Sequence, residues 1–386
     1  MDQTQVKDDR SLLYMLEALR KASKDLQNNS IFITHNPQTI MESLLNLRNE
    51  ADALFSTNPN LSKLCNLLFT LKTLHQKIKT SQGYSLKSLL SRQITNYKIY
   101  QVGYAIEAEV QACIDKECVR NLVRIIQETE SDSEEDKLRV LKGFEKRLSQ
   151  GFDGDFQELV LRAKGFSLLE SLICDSTRPM KIREQAALCV VGLVRFNRDV
   201  FVGLVLMGPI VQSLVSTASD WSIQVLCSLI RLIRTPLIDE IELEGEIPRI
   251  ISLFSSQDLS IQVAAMDCVY EIAYFGRKEV IEAMIEQGLI EKLMELQRST
   301  CGDDLAERDQ FNGNVSNAEV CAEIVKKRPF ASCVARFALQ VEVGEGLERK
   351  ERKELKREIL RRVREASVSE AEAASVVAEV LWGSYP

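Results

Sequence analysis

Ser219-Asp-Trp-Ser-Ile-Gln-Val225 and Gln257-Asp-Leu-Ser-Ile-Gln-Val263 are one phrase written twice, 38 residues apart, with five of seven positions identical. Self-similarity at a fixed interval of about 20–50 residues is the mark of a repeat array. Chance is a poor explanation of such a match. A second marker keeps the same beat. Cys189-Val-Val-Gly-Leu-Val194, Ser228-Leu-Ile-Arg-Leu-Ile233, Cys268-Val-Tyr-Glu-Ile-Ala273 and Cys333-Val-Ala-Arg-Phe-Ala338 begin 39, 40 and 65 residues apart. The long last interval predicts an insertion, and the polar, turn-rich stretch 299–328 is its place. Gly165, Gly208, Gly245 and Gly288 give a third register, spaced 43, 37 and 43.

Composition agrees with a helical array. Of 386 residues, 45% are hydrophobic, 27% charged and 6% aromatic, with 8 Pro and 17 Gly, which leaves few turn punctuators. A net charge of −7 disfavours nucleic acid as a generic partner. The first thirty residues lack the apolar core of a signal peptide, and the longest apolar run, from Val200 to Met207, is far short of a membrane span. The expectation is a cytoplasmic or nuclear chain without a transmembrane segment. Ten Cys without one C-x-x-C, and only two His, His35 and His75, predict neither a metal site nor a cofactor.

Before the repeats, Leu61, Leu64, Leu68, Leu71, Leu74 and Ile78 form one helical stripe, and Asn36 before Pro37 reads as an N-cap. An N-terminal helical bundle over 1–150 follows, with repeats over 160–386. The run Glu128 to Asp136 carries six carboxylates in nine residues, too much repulsion to pack, and serves as an acidic linker or helix start. Ser131 and Ser133 within it match the pattern of an acidic-directed kinase site.

A period near 40 with several helices per unit fits armadillo or HEAT repeats. The residues themselves resemble the armadillo family: the Gly245-Glu-Ile-Pro-Arg-Ile-Ile opening, the Ser256-Gln-Asp258 turn, the Ile261-Gln-Val-Ala-Ala helix and the closing Ile285-Glu-Gln-Gly288. The resemblance covers about 165–365 and implies an all-α, armadillo-type α-solenoid, a right-handed superhelix whose third helices line a concave groove. The N-terminal region resembles the helical region that precedes armadillo repeats in plant U-box proteins. No Cys-Pro-Ile-containing U-box module is found, so ligase activity is not implied.

The variable position of the repeated hexad is where nuclear-import armadillo proteins keep an asparagine ladder. Here it holds Gly192, Arg231, Glu271 and Arg336. One turn away on the same face lie Arg195, Asp267 and Tyr274, and Ser332 and Gln340, and two turns before Gly192 lies Gln185. The partnering tryptophans of import receptors are also missing: Trp221 reads as a turn residue and Trp382 is near the C-terminus. An import-receptor role is therefore disfavoured, and the mixed charge with one Tyr suits a protein or peptide ligand. The cysteines of the hexad read as small apolar residues at tight helix contacts.

Glu348 to Glu365 holds nine basic and five acidic residues around Leu355, Ile359 and Val363, the pattern of a solvated outer helix on the last repeat. Ser369-Glu-Ala-Glu372 then opens a C-terminal capping helix. No P-loop, dinucleotide-binding, H-E-x-x-H or G-x-S-x-G motif occurs, so no small-molecule substrate is expected. Two functional classes remain: a non-enzymatic protein-interaction scaffold or adaptor, and a ubiquitin-pathway or transport adaptor acting through an enzyme partner.

Overall fold

The computed structural model describes residues 3–28, 46, 61–80, 86–127, 133–301 and 329–382, and among these every regular element is helical. In chain order the first helices are α1 (Gln3–Asn28), α2 (Ser62–Thr80), α3 (Leu86–Gln127), α4 (Glu134–Leu148), α5 (Gly154–Arg162), α6 (Gly165–Cys174) and α7 (Met180–Phe196). Three triplets follow: α8 (Arg198–Met207), α9 (Ile210–Thr217) and α10 (Asp220–Ile233); α11 (Thr235–Leu243), α12 (Ile247–Ser252) and α13 (Leu259–Phe275); α14 (Lys278–Glu286), α15 (Leu289–Cys301) and α16 (Cys333–Val343). The last helices are α17 (Arg349–Ala366) and α18 (Glu370–Trp382).

The chain divides into two compact units, residues 1–131 with 153–165, and 132–152 with 166–386. In the first unit the predicted stripe of α2 does its work: Leu64, Leu68 and Leu71 are fully buried against Leu12, Leu16 and Leu19 of α1 and Ile99, Ile106 and Val110 of α3. Each such side chain contributes roughly 1.5–3 kcal/mol by leaving water. α1 runs antiparallel to α3, because Arg20 donates to Gln111 at 2.9 Å while Lys24, further along, pairs with Glu107 at 3.6 Å. The N-cap expected at Asn36 lies outside the described residues.

The second unit is an all-α solenoid of armadillo-type triplets. The third helices α7, α10, α13 and α16 pack one on the next, with the shorter helices of each triplet behind them. Leu193, Leu229, Ile230, Ile272 and Phe337 are fully buried, which supplies the continuous core that no single triplet could form. The glycine register marks the turn between first and second helices. Gly245 and Gly288 take φ of 71° and 81°, where a Cβ is strained. At Gly208 a Cβ would meet the movable end of the Glu170 side chain and stand 3.0 Å from the Leu204 carbonyl oxygen.

The structure departs from a division between 150 and 160. α4 packs on α7 as a first rung of the array, while α5 belongs with α3 in the first unit. The reason is local: α4 buries Leu141, Phe144 and Leu148, and Cys189 of α7 donates to the Leu141 carbonyl at 3.3 Å. The acidic run is split as well. Residues 128–132 lie outside the described residues, whereas Ser133 is the N-cap of α4 and Glu134, Glu135 and Asp136 fill its first turn, where the helix dipole favours carboxylates.

The repeated phrase starts a third helix in both copies, with a shift of one residue. Ser219 caps α10 in a capping box with Ser222, but in the second copy the cap is Asp258, which accepts from Ser260 N at 2.8 Å. Trp221 is correspondingly a buried residue in the first turn of α10, not a turn residue, because the Ser219 cap starts the helix before it. The predicted insertion falls between α15 and α16 of one triplet, and 302–328 lie outside the described residues. In α17 the expected stripe Leu355, Ile359 and Val363 is buried, and Glu358 pairs with both Arg361 and Arg362. Ser369 caps α18 as read, accepting from Glu372 N at 3.2 Å, although Glu372 reaches back to Val368 N rather than to the cap itself.

Candidate interaction surface

The stacked third helices bring residues about 40 positions apart into contact. Arg231 of α10 donates to Glu271 of α13 at 2.7 Å, and this hydrogen bond raises the Arg231 pKa above its ordinary value. The Arg231 side chain is 57% exposed and Glu271 20%, so the pair lies on the surface of two adjacent rungs. Asp267, one turn before Glu271, is exposed as a residue, yet its carboxyl is partly withdrawn from water between the rungs, which raises its pKa against the lowering influence of Arg336 and Arg231. Arg195 on α7 is exposed, and Tyr274 at the end of α13 is half-buried, edge-on to Phe275 at 4.7 Å. Gln340 on α16 is half-buried, and its neighbours Leu339 and Val343 are exposed.

Three of the expected site residues serve packing instead. Gln185 is buried, and its amide donates to Glu145 of α4 at 2.6 Å, joining two rungs where α4 has taken the place beside α7. Gly192 lets α4 approach: a Cβ there would stand 3.0 Å from Leu148 Cδ1. Arg336 is half-buried, with its guanidinium 4.9 Å from the Tyr270 ring centre and donating to the Pro329 carbonyl at 3.0 Å. A cation held over a ring and by a carbonyl is already spent on its own fold. Ser332, also half-buried, holds φ of 51° before α16.

Sequence reasoning missed residues on the same stripe. Leu188, a turn before Gly192, and Gln224, seven residues before Arg231, are exposed on α7 and α10. The i, i+3, i+4 and i+7 spacing that found the others would have found these. The hexad cysteines lie in the rung contacts. Cys189, Cys268 and Cys333 are fully buried; Cys333 donates to the Leu293 carbonyl at 3.1 Å, and burial pushes its thiol up to about 12. A hydrogen bond with Cys227, then burial, raises Cys268. None is a poised nucleophile.

No protein-family model and no curated protein matches the chain. Solved structures similar to it include designed armadillo repeat proteins. One, YIII(Dq)4CqI, is 16% identical, with TM-score 0.41, over 69% of this chain and 99% of its own. Another, in complex with the peptide (KR)4, is 17% identical, with TM-score 0.41, over 69% and 98%. An engineered protein is 16% identical, with TM-score 0.44, over 94% of this chain and 77% of its own. Similarities of this size do not bear on what this chain binds.

Among the described residues no group of three or more His, Cys, Asp and Glu is placed to hold a metal ion. His75 is buried, and His35 lies outside the described residues. No single described helix is long and apolar enough to cross a membrane; the apolar run of α8 bends by 66° into α9. Ser133, one of the two serines in the acidic run, is exposed with its hydroxyl accepting from Asp136 N at 3.2 Å, and Ser131 lies outside the described residues.

Proposed function

We propose that the chain is a non-enzymatic interaction scaffold, acting in the cytoplasm or nucleus, that binds a protein or peptide along the exposed stripe of its third helices. Arg195, Arg231, Asp267, Glu271, Tyr274 and Gln340 form the polar part of that stripe. The observation that carries this reading is the Arg231 to Glu271 pair. It links adjacent rungs at 2.7 Å while leaving the guanidinium mostly open. Such a pair can exchange its internal partner for a ligand carboxylate or backbone carbonyl at small cost, because an exposed ion pair is worth only about 0.2–1 kcal/mol. The rungs hold the stripe rigid, so a ligand pays little ordering entropy on the protein side.

The test is a charge swap, Arg231→Glu with Glu271→Arg, combined with Arg195→Glu. The swap keeps the pairing while reversing the sign at each position, so stability should change by no more than about 0.5 kcal/mol. Quantitative affinity purification from the native cell should show at least one partner lost against wild type. Full retention of every partner by a variant with an unchanged melting curve places the binding site elsewhere.

A further inference from the structure

Helix α3 carries two apolar faces. One, with Ile99, Ile106 and Val110, is buried against α1 and α2. The other holds Leu86, Leu90, Ile94, Tyr97 and Tyr104, each between 58 and 80% exposed. At 100° per residue these fall within an arc of about 80° on the side opposite the buried face, along roughly 27 Å of helix. Further along α3 the same arc carries Val119 and Leu122, which are buried where α5 packs. Between Tyr104 and Val119 the arc holds Asp115, buried and accepting from Gln111 at 2.8 Å, so the open apolar strip ends at Tyr104 and the part under α5 is separate from it.

The charge around the open part is one-sided. From Ala53 to Ile106 the sequence has no Asp or Glu, although the whole chain has net charge −7, and it carries six lysines and Arg92. Lys87 and Lys98 are exposed and border the strip on one side; Arg92 is exposed on the same helix. A second copy is a poor occupant, since two such strips face to face would bring lysines together with no carboxylate to pair them. An anionic surface is a good one.

We propose that this strip of α3 docks the chain on an anionic lipid surface, with Leu86, Leu90 and Ile94 entering the headgroup boundary, Tyr97 and Tyr104 at the interface, and Lys87 and Lys98 on lipid phosphates or carboxylates. Amphipathic helices bind lipid in this way, and the tyrosines have one apolar and one polar end to place there. Lipid is favoured over an acidic peptide because, among the described residues, the strip is the convex outer face of one helix, flanked by Lys87 and Lys98 and not by a second helix that would make a groove for a peptide. The proposal is independent of the third-helix stripe.

The full chain is sedimented with phosphatidylcholine vesicles and with vesicles containing about a third phosphatidylserine. Binding to the second and not the first is expected. Lys87→Glu with Lys98→Glu should weaken it by about 30-fold or more, and Leu90→Ser with Ile94→Ser should abolish it, while both variants keep the wild-type circular dichroism and melting temperature. Four results overturn the proposal. One is absence of phosphatidylserine-dependent sedimentation, or its retention in both variants. The second is a lowered melting temperature of the serine variant without vesicle binding, which means that residues of this chain, such as 29–60, cover the strip. The third is a concentration-dependent dimer, without vesicle binding, that the serine variant abolishes. The fourth is binding of a glutamate-rich amphipathic helical peptide by a chain that ignores the vesicles. The lysine variant keeps the test sound if the serine variant misfolds, because both lysines are exposed.

Discussion

Replacing Gly192 with Ala tests the placement of α4 as the first rung. In mid-helix the change gains about 0.8–1 kcal/mol of helix propensity. Here the new methyl would stand 3.0 Å from Leu148 Cδ1, closer than carbon atoms pack at rest, so Leu148 must give way by a few tenths of an ångström. The two effects should nearly cancel, leaving Gly192→Ala within about 0.5 kcal/mol of wild type. Leu148 is buried, and Leu148→Ala alone should cost about 2–5 kcal/mol. In that background the obstructing methyl is gone, so Gly192→Ala should recover its full propensity gain and partly fill the cavity. The expected coupling is roughly 0.5–1 kcal/mol in favour of the double variant. The assay is urea unfolding by far-ultraviolet circular dichroism, read as midpoint shifts at constant m-value, a condition that matters because repeat arrays can unfold in stages. Additivity to within about 0.3 kcal/mol would mean that α4 does not lie against α7 and that Gly192 faces solvent.

The remaining predictions concern side-chain chemistry. Among the described cysteines Cys174 is exposed, and it should react first with a thiol-specific alkylating reagent. Cys189, Cys268 and Cys333 should resist until the array unfolds, as peptide mass spectrometry would show. Early labelling of Cys268 would contradict the rung packing. Glu358 is held down to about 2 by its hydrogen bond from Arg361 and the nearby Arg362. A depressed carboxylate stabilises the fold above its unfolded value of 4.5, and the effect is lost as pH falls through about 2. Its carboxyl carbon should therefore titrate near 2 in a nuclear magnetic resonance experiment, moving upward in high salt; a midpoint at 4.5 would mean that the α17 ion pairs do not form in solution.

The helical class, the repeat beat and the buried cysteines are legible in the sequence because they follow from local periodicity: a helix buries every third or fourth residue, and each repeat must offer its neighbour the same small residues at the contact. Leu355, Ile359 and Val363 lie where their spacing puts them, and Gly245 and Gly288 mark their turns because only glycine takes that backbone cheaply. What the residue order left open is which helix stands beside which. An amphipathic helix such as α4 satisfies its apolar face equally well against a bundle or an array, and nothing in Glu134 to Leu148 names the partner. That choice, made by Cys189, Gln185 and Gly192 reaching α4, turned two expected ligand-binding positions into packing. Arg336 was lost from the open surface in the same way, because the ring of Tyr270 that holds it comes from another helix more than sixty residues earlier in the chain. Periodicity fixes the face a residue occupies; tertiary packing alone decides whether that face meets water.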